Sequence, residues 1–232
     1  MPPKLPAKPS GRQTDPDEIL LVGARRIGLL LGAREVLAFR TYREEILRWA
    51  GRMNLTALTS PADVVRQGFL DSLACARLFP PETRRVIDIG SGAGFPAIPL
   101  AITMPGIQFT LVESSRKKVT FLRHIARLLE LSGIDIRPER AEDLLRGTEM
   151  LGTFDLALAR AVAPLSELGP TVLRFLRPGG TFLAQVGPGV GVEEAVNRLE
   201  RIGFDLANTA RVPHEVGAPG RRILSLRRRS VL

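Results

Sequence analysis

Arg84-Arg85-Val86-Ile87-Asp88-Ile89-Gly90-Ser91-Gly92-Ala93-Gly94-Phe95-Pro96-Ala97-Ile98-Pro99-Leu100-Ala101-Ile102-Thr103-Met104 is the stretch that decides the fold. Val86, Ile87 and Ile89 form a short β-branched run of the kind buried in a parallel sheet. Gly90, Gly92 and Gly94 follow at once, and Ile98, Leu100, Ala101 and Ile102 then recur as in a helix. The reading is strand, glycine turn, helix. Glycines suit such a turn because it is tight and because backbone without Cβ lets a ligand come close. The helix N-terminus behind it offers free N–H groups and a partial positive charge.

Three ligands use loops of this kind: NAD, a nucleotide phosphate and S-adenosylmethionine. Phe95 stands where a dinucleotide fingerprint has its last glycine, and no Gly-Lys-Ser/Thr follows, which excludes a phosphate-binding P-loop. Asp88 lies two residues before the first glycine. A carboxylate there repels a pyrophosphate and suits a ligand that carries an ammonium and a cationic sulfur. Asp88-x-Gly90-x-Gly92-x-Gly94 resembles the first motif of class I methyltransferases. The alternative at this point is an ordinary glycine-rich βα turn that binds nothing.

Working outward, helices fill the first 80 residues. Met1 to about Asp15 is rich in Pro and Lys and reads as a disordered tail. Apolar positions at helical spacing mark a helix from Pro16 to Gly32, with Leu30 and Leu31 on its buried side and Asp15 as its cap. A second runs from about Arg34 to Met53 and buries Leu37, Phe39, Tyr42 and Trp49. Ser60-Pro61-Ala62-Asp63 opens a third that ends near Leu78. After the glycine loop come a strand at Ile107–Glu113, a helix at Ser115–Leu131, a strand at Ile134–Arg137, a helical turn after Ala141 and a strand at Phe154–Ala159. A helix follows at Ser166–Leu176, then an Arg177–Gly180 turn and a strand at Thr181–Val186. A helix at Val192–Ile202 and a hairpin of Phe204–Val212 with Arg222–Leu226 close the chain. Alternating strands and helices predict a mostly parallel α/β sheet with helices on both faces, and the hairpin adds one antiparallel strand.

The 232 residues suit one large domain or a domain with an extension, and 44% hydrophobic content is enough for a core. No apolar run approaches a membrane span, and Lys4, Lys8 and Arg12 have no apolar segment behind them as a signal peptide would. The single cysteine, Cys75, permits no internal disulfide and suits a reducing compartment. With 33 basic and 24 acidic residues the net charge is +9, which points to a polyanionic partner. A GC-rich genome, which favours Arg, Ala, Gly and Pro, gives the same bias.

Candidate site residues gather at the C-terminal ends of the strands, where open α/β sheets bind ligands. Glu113 ends the second strand and suits the two hydroxyls of a ribose. Ala141 and Glu142 follow the third strand, placed to meet an adenine amino group. Arg160 follows the fourth and suits a carboxylate or phosphate. Arg116, Lys117 and Lys118 open the helix after Glu113, where their charge opposes the helix dipole, so anion contact is the functional reading and a solvated face the bland one. Arg227-Arg228-Arg229 is either an RNA clamp or a loose tail. Two histidines and one cysteine give no support to metal or nucleophilic catalysis. The fourth strand also lacks the Asn/Asp-Pro-Pro-Tyr/Phe that exocyclic amine methylation favours.

With these residues assembled, the chain resembles the RsmG (GidB) family of bacterial small-subunit rRNA guanine-N7 methyltransferases. The resemblance rests on Asn54-Leu55-Thr56, Leu70-Asp71-Ser72-Leu73, Asp88 through Phe95-Pro96, Lys118-Val119-Thr120-Phe121-Leu122 and Arg160-Ala161-Val162-Ala163. It implies a class I methyltransferase (Rossmann-like) sheet preceded by an N-terminal helical cap, with a 16–80 extension and an 84–229 S-adenosylmethionine-binding domain. It also implies cofactor contacts at Gly90, Phe95, Ala141, Glu142 and Arg160, with Glu113 on the ribose. Asp88, Gly92 and Gly94 belong to the same loop. Arg160 is the expected catalytic residue, and Arg116, Lys117, Lys118, Arg221 and Arg222 the expected RNA contacts. The implied partner is 16S rRNA or the assembling small subunit, for a cytoplasmic monomer that uses no metal. The chain departs from the family at Gly68, where a His is usual, at Val186, where a Lys is usual, and at Arg222, where Arg-His is usual. The rival readings are a methyltransferase with another RNA or a small molecule as acceptor, a non-catalytic RNA-binding protein, and an NAD-linked oxidoreductase.

Overall fold

The computed structural model describes residues 15–160 and 164–230. The expected N-terminal tail, apart from Asp15, and the block Ala161-Val162-Ala163 lie outside the described residues. Helix α1, Pro16–Arg26, starts where its sequence dictates: the Asp15 carboxylate accepts from the Asp17 N–H at 3.0 Å, with Pro16 at the first position. It stops six residues short of Gly32. Ile27 caps it, and Gly28 takes a φ of +76°, which only glycine adopts freely. Leu30, expected inside, is therefore 86% exposed. Helix α2, Ala33–Ala50, buries Phe39, Tyr42 and Ile46 but leaves Leu37 exposed.

Ser60 caps the next helical run, accepting from the Asp63 N–H at 3.1 Å. The run reaches Leu78 with a changing pitch. It passes from α3, Pro61–Asp63, through a π-helix at Val64–Leu70 and α4, Asp71–Leu73, to a 3-10 stretch at Ala74–Leu78. Sequence periodicity assumes one pitch and could not reveal this; π-turns within helices are frequent at functional sites.

The sheet has seven strands among the described residues: β1 Arg85–Ile89, β2 Gln108–Val112, β3 Ile134–Arg137, β4 Phe154–Arg160, β5 Leu176–Val186, β6 Phe204–Arg211 and β7 Arg222–Arg228. Their order is β3-β2-β1-β4-β5-β7-β6, and only β7 runs against its neighbours. Arg177–Gly180, read as a turn, is instead a bulge inside β5: Leu176 pairs with Phe154 and Thr181 with Leu156. The terminal basic run is not a loose tail. Arg228 in β7 donates to the Leu173 and Leu176 carbonyls, and Arg229 pairs with Asp205 at 2.7 Å.

Strand pleating sorts the core into two layers. Val86, Leu156, Leu158 and Leu183 face one side, with α1, α2, the 64–76 run, α5 (Ala97–Thr103) and α6 (Arg116–Leu128). Ile87, Ala157, Phe182 and Ala184 face the other, with α7 (Ala141–Leu144), α8 (Leu165–Phe175) and α9 (Val192–Arg201). The helical extension and the sheet therefore share one hydrophobic cluster. Gly23 of α1 sits so near the π-helix that a Cβ would lie 2.3 Å from Leu70 Cδ1. Each fully buried Phe or Leu in this seam contributes about 1.5–3 kcal/mol relative to exposure, which holds the extension on the sheet.

Candidate active site

A cleft of about 470 Å³ opens at the C-terminal ends of β1, β2 and β3, within the roughly 300–1,000 Å³ usual for small-molecule sites. Gly90, Glu113, Ala141 and Glu142 line it, so four residues singled out in sequence meet in one place. Lys118, expected on the RNA side, lines it as well, while Arg116 and Lys117 are exposed at the start of α6.

The glycine loop is tied to the end of β2. Gly90 and Ser91 donate to the Val112 carbonyl at 2.8 and 3.2 Å. Glu113, 7% exposed, accepts from the Gly92 N–H at 2.9 Å and from the Ser115 N–H at 2.8 Å, one on each oxygen. An ionised carboxylate has about four acceptor sites, so two stay free for ligand hydroxyls.

Helix α2 supports the loop from below. The Tyr42 hydroxyl donates to the Ala93 carbonyl at 2.5 Å. A Cβ on Gly94, where φ is +95°, would lie 2.6 Å from that hydroxyl oxygen and 2.5 Å from Ile98 Cγ1. Tyr42 thus serves the site, although helical spacing marks it only as a core residue.

The structure corrects the role expected of Asp88. Ile89 lines the cleft, and side chains alternate along a strand, so Asp88 points to the opposite face. It is wholly buried beneath the helical extension, and neither carboxylate oxygen meets a hydrogen-bond partner. Burial pushes its carboxyl up to about 7; the nearby Ser91 hydroxyl, Ala97 N–H and Arg160, none of them in hydrogen-bonding geometry with it, pull the other way and are outweighed. From there it offers nothing to a ligand ammonium.

Phe95 and Arg160 lie beside the cleft rather than in its lining. Arg160 places its guanidinium carbon 4.9 Å from the Phe95 ring centroid and donates to the Gln67 carbonyl at 2.7 Å. Phe95 in turn fills the space above Gly68, where a Cβ would lie 2.7 Å from Phe95 Cζ. The missing histidine at 68 thus has a steric counterpart here: any side chain displaces Phe95. Arg221, one of the expected RNA contacts, is paired with Asp71 at 3.1 Å and its side chain is 17% exposed, because the β6–β7 loop folds back onto the helical extension. Arg222 is half-buried in β7.

Sequence reasoning missed Glu139. Its Oε2 is buried without a partner, and the residue lines the cleft. Its place two residues before Ala141, at the end of β3, was the available signal. A buried acceptor left open in a ligand-sized cleft, next to a glycine loop and a ribose-suited carboxylate, fits a group rich in amino and hydroxyl donors.

Five parallel strands in the order 3-2-1-4-5, an antiparallel β7 beside β5 and a glycine loop bound to an acidic β2 end define a class I methyltransferase. Residues 36–217 match the GidB family, described as rRNA small subunit methyltransferase G, and the chain belongs to that family. Among relatives called ribosomal RNA small subunit methyltransferase G, that of Caldanaerobacter subterraneus subsp. tengcongensis is 40% identical over 197 residues, covering 84% of this chain and 82% of its own. That of Roseiflexus castenholzii is 42% identical over 183 residues, covering 79% and 78%. Solved structures share the fold at low identity. The ribosomal protein L11 methylase from Lactobacillus delbrueckii subsp. bulgaricus has TM-score 0.56 at 21% identity over 69% of this chain and 77% of its own. Pyrococcus horikoshii TYW2 in complex with MeSAdo has TM-score 0.55 at 20% identity over 73% and 64%.

Proposed function

We propose that this chain methylates N7 of a guanine in 16S ribosomal RNA, using S-adenosylmethionine, as a cytoplasmic monomer acting on RNA or an assembling small subunit. The observation that carries this reading is the cleft that gathers Gly90, Glu113, Ala141 and Glu142, in a member of this family. When bound, S-adenosylmethionine supplies an electrophilic methyl on a cationic sulfur.

The chain's own residues divide the work. The Gly90–Phe95 loop, held by Tyr42 and Glu113, frames the amino-acid end. Glu113 accepts the ribose hydroxyls with its free lone pairs. Ala141, Glu142 and the open Glu139 oxygen frame the adenine. Arg160 keeps guanidinium donors beyond the Gln67 bond for the target base or a carboxylate.

Guanine N7 carries a lone pair in the ring plane, so no general base has to remove a proton before transfer. The two histidines lie away from the cleft: His124 contacts Glu45 at 2.7 Å, and His214 is exposed beside Glu215. Catalysis then rests on holding N7 in line with the methyl and sulfur. Exposed Arg116 and Lys117, with Lys118 and Arg222, supply phosphate contacts, in keeping with the net charge of +9. No helix among the described residues is long and apolar enough to cross a membrane.

The test is transfer of a tritiated methyl from S-adenosylmethionine to purified small-subunit RNA and to small subunits, with large-subunit RNA as control. Label confined to the small-subunit material supports the reading. Label in neither, or equal label in both, contradicts it.

A further inference from the structure

Leu70-Asp71-Ser72-Leu73, part of the family resemblance, lies outside the lining of the cleft. Asp71 stands where the π-helix ends, is wholly buried, and is charge-paired. Its Oδ1 accepts from the Ala218 N–H at 2.9 Å and its Oδ2 from Arg221 Nε at 3.1 Å. Its own carbonyl accepts from Gln185 Nε2 at 2.6 Å. Gln185, the last residue but one of β5, lies directly beside Arg160 of β4 in the sheet register. One residue thus joins three parts far apart in the chain: the helical extension, the β4–β5 edge and the loop between β6 and β7.

That loop is shaped to meet it. A Cβ on Gly217 would lie 1.9 Å from Asp71 Oδ1 and 2.7 Å from Val212 Cγ1, so only glycine lets the backbone approach this closely. Arg66 of the π-helix adds a second tie, donating to the Glu215 carbonyl at 3.2 Å. A buried ion pair is a poor way to gain stability, since apolar packing of the same volume serves as well or better. Its value here is the fixed placement of the loop.

The cleft occupies the ends of β1 to β3, which leaves the ends of β4 and β5 and the start of antiparallel β7 as the rest of the ligand-binding edge. This second half is bordered by Arg66, Arg160, Arg221 and Arg222, against Asp71 and Glu215, and is cationic on balance. We propose that Asp71 is a positioning residue for the acceptor RNA: it holds the 213–221 loop and Arg221 against the β4–β5 edge, building the acceptor-side wall of the site. This rests on the methyl-transfer reading and assigns that reading's acceptor side.

The test uses the full chain with Asp71→Asn, which keeps the shape and removes the charge, and with Gly217→Ala, which pushes the loop away and leaves Asp71 intact. Both variants are expected to raise KM for the small-subunit substrate at least about tenfold, with the Kd for S-adenosylmethionine within about twofold of the parent. Unchanged KM in both overturns the proposal. So does a parallel loss of cofactor affinity and melting temperature, which a merely structural role produces. If the parent chain labels no small-subunit RNA, the methyl-transfer reading fails by itself. Filter binding of the same RNA then reads the wall directly, and equal affinity of parent and variants overturns the proposal.

Discussion

Tyr42→Phe isolates the support that the helical extension gives the glycine loop. The substitution removes one oxygen and leaves the packing: Tyr42 lies 5.2 Å from the Phe69 ring and 5.8 Å from that of Phe95, centroid to centroid, and a phenylalanine keeps those contacts. What goes is the 2.5 Å bond to the Ala93 carbonyl. Ala93 is buried, so its carbonyl is left without a partner, at a cost of about 1–3 kcal/mol. At roughly 3 °C per kcal/mol for a chain of this size, the melting temperature falls by about 3–9 °C. Burial pushes the Tyr42 phenol well above its usual range, so it stays protonated and donating, and the difference between the proteins should not change from neutral pH up to pH 9 or so. The loop loses its anchor as well; if about 1.4 kcal/mol of the loss falls on binding, the Kd for S-adenosylmethionine weakens about tenfold. Thermal melts followed by circular dichroism, with calorimetric titration, read both effects. A melting temperature within about 1 °C of the parent, with an unchanged Kd, would refute the claim that α2 holds the loop.

Other perturbations probe other parts of the account. Gly94→Ala forces a Cβ to within 2.5 Å of Ile98 Cγ1 at a φ of +95°, and urea unfolding should show a loss of about 1–3 kcal/mol or more; an unchanged midpoint contradicts the close packing. Glu113→Gln leaves the Gly92 or the Ser115 N–H facing an amide donor, so calorimetry should show the S-adenosylmethionine Kd weakened at least about tenfold, with little change speaking against Glu113 as the loop's anchor. Asp88 titrates with a raised pKa in the fold. Its contribution to stability is therefore complete below the unfolded value near 3.8, declines as pH rises and is gone above about 7. Asp88→Asn should remove that part of the decline between pH 5 and 7.5 in thermal melts, and parallel pH profiles for the two proteins would count against a buried, unpartnered carboxylate. RNA binding should weaken linearly in log salt, by about 0.7 log units per phosphate contact on single-stranded RNA; a flat salt profile would remove the basic surface from the account.

Much of the fold was legible because it rests on local signals. The strand run before Gly90, the glycines and the alternation that follows each depend on a few neighbouring residues, and β3 falls where its sequence places it. Errors arose where tertiary geometry decides. Gly28 ends α1 early and strands Leu30 in solvent. The pitch changes between Val64 and Leu78 have no mark in apolar spacing. The site shows the same division. Strand-end positions sufficed to bring Gly90, Glu113, Ala141 and Glu142 together. Strand parity puts Ile89 and Asp88 on opposite faces, whereas the position of an acid two residues before the glycines says nothing about which face it takes. Arg221 could not be placed from sequence, because its partner Asp71 lies 150 residues away. A similar separation hid the meeting of Gly217 with Asp71.

The most direct test of the central claim is the identity of the methylated atom. Small-subunit RNA labelled by the purified protein is digested to nucleosides, and a second portion is treated with borohydride and aniline, which cut the chain at 7-methylguanosine. The account predicts that the label runs with 7-methylguanosine and that a single new cut appears in the RNA. Label on another nucleoside, or labelled RNA that resists the cut, would contradict it.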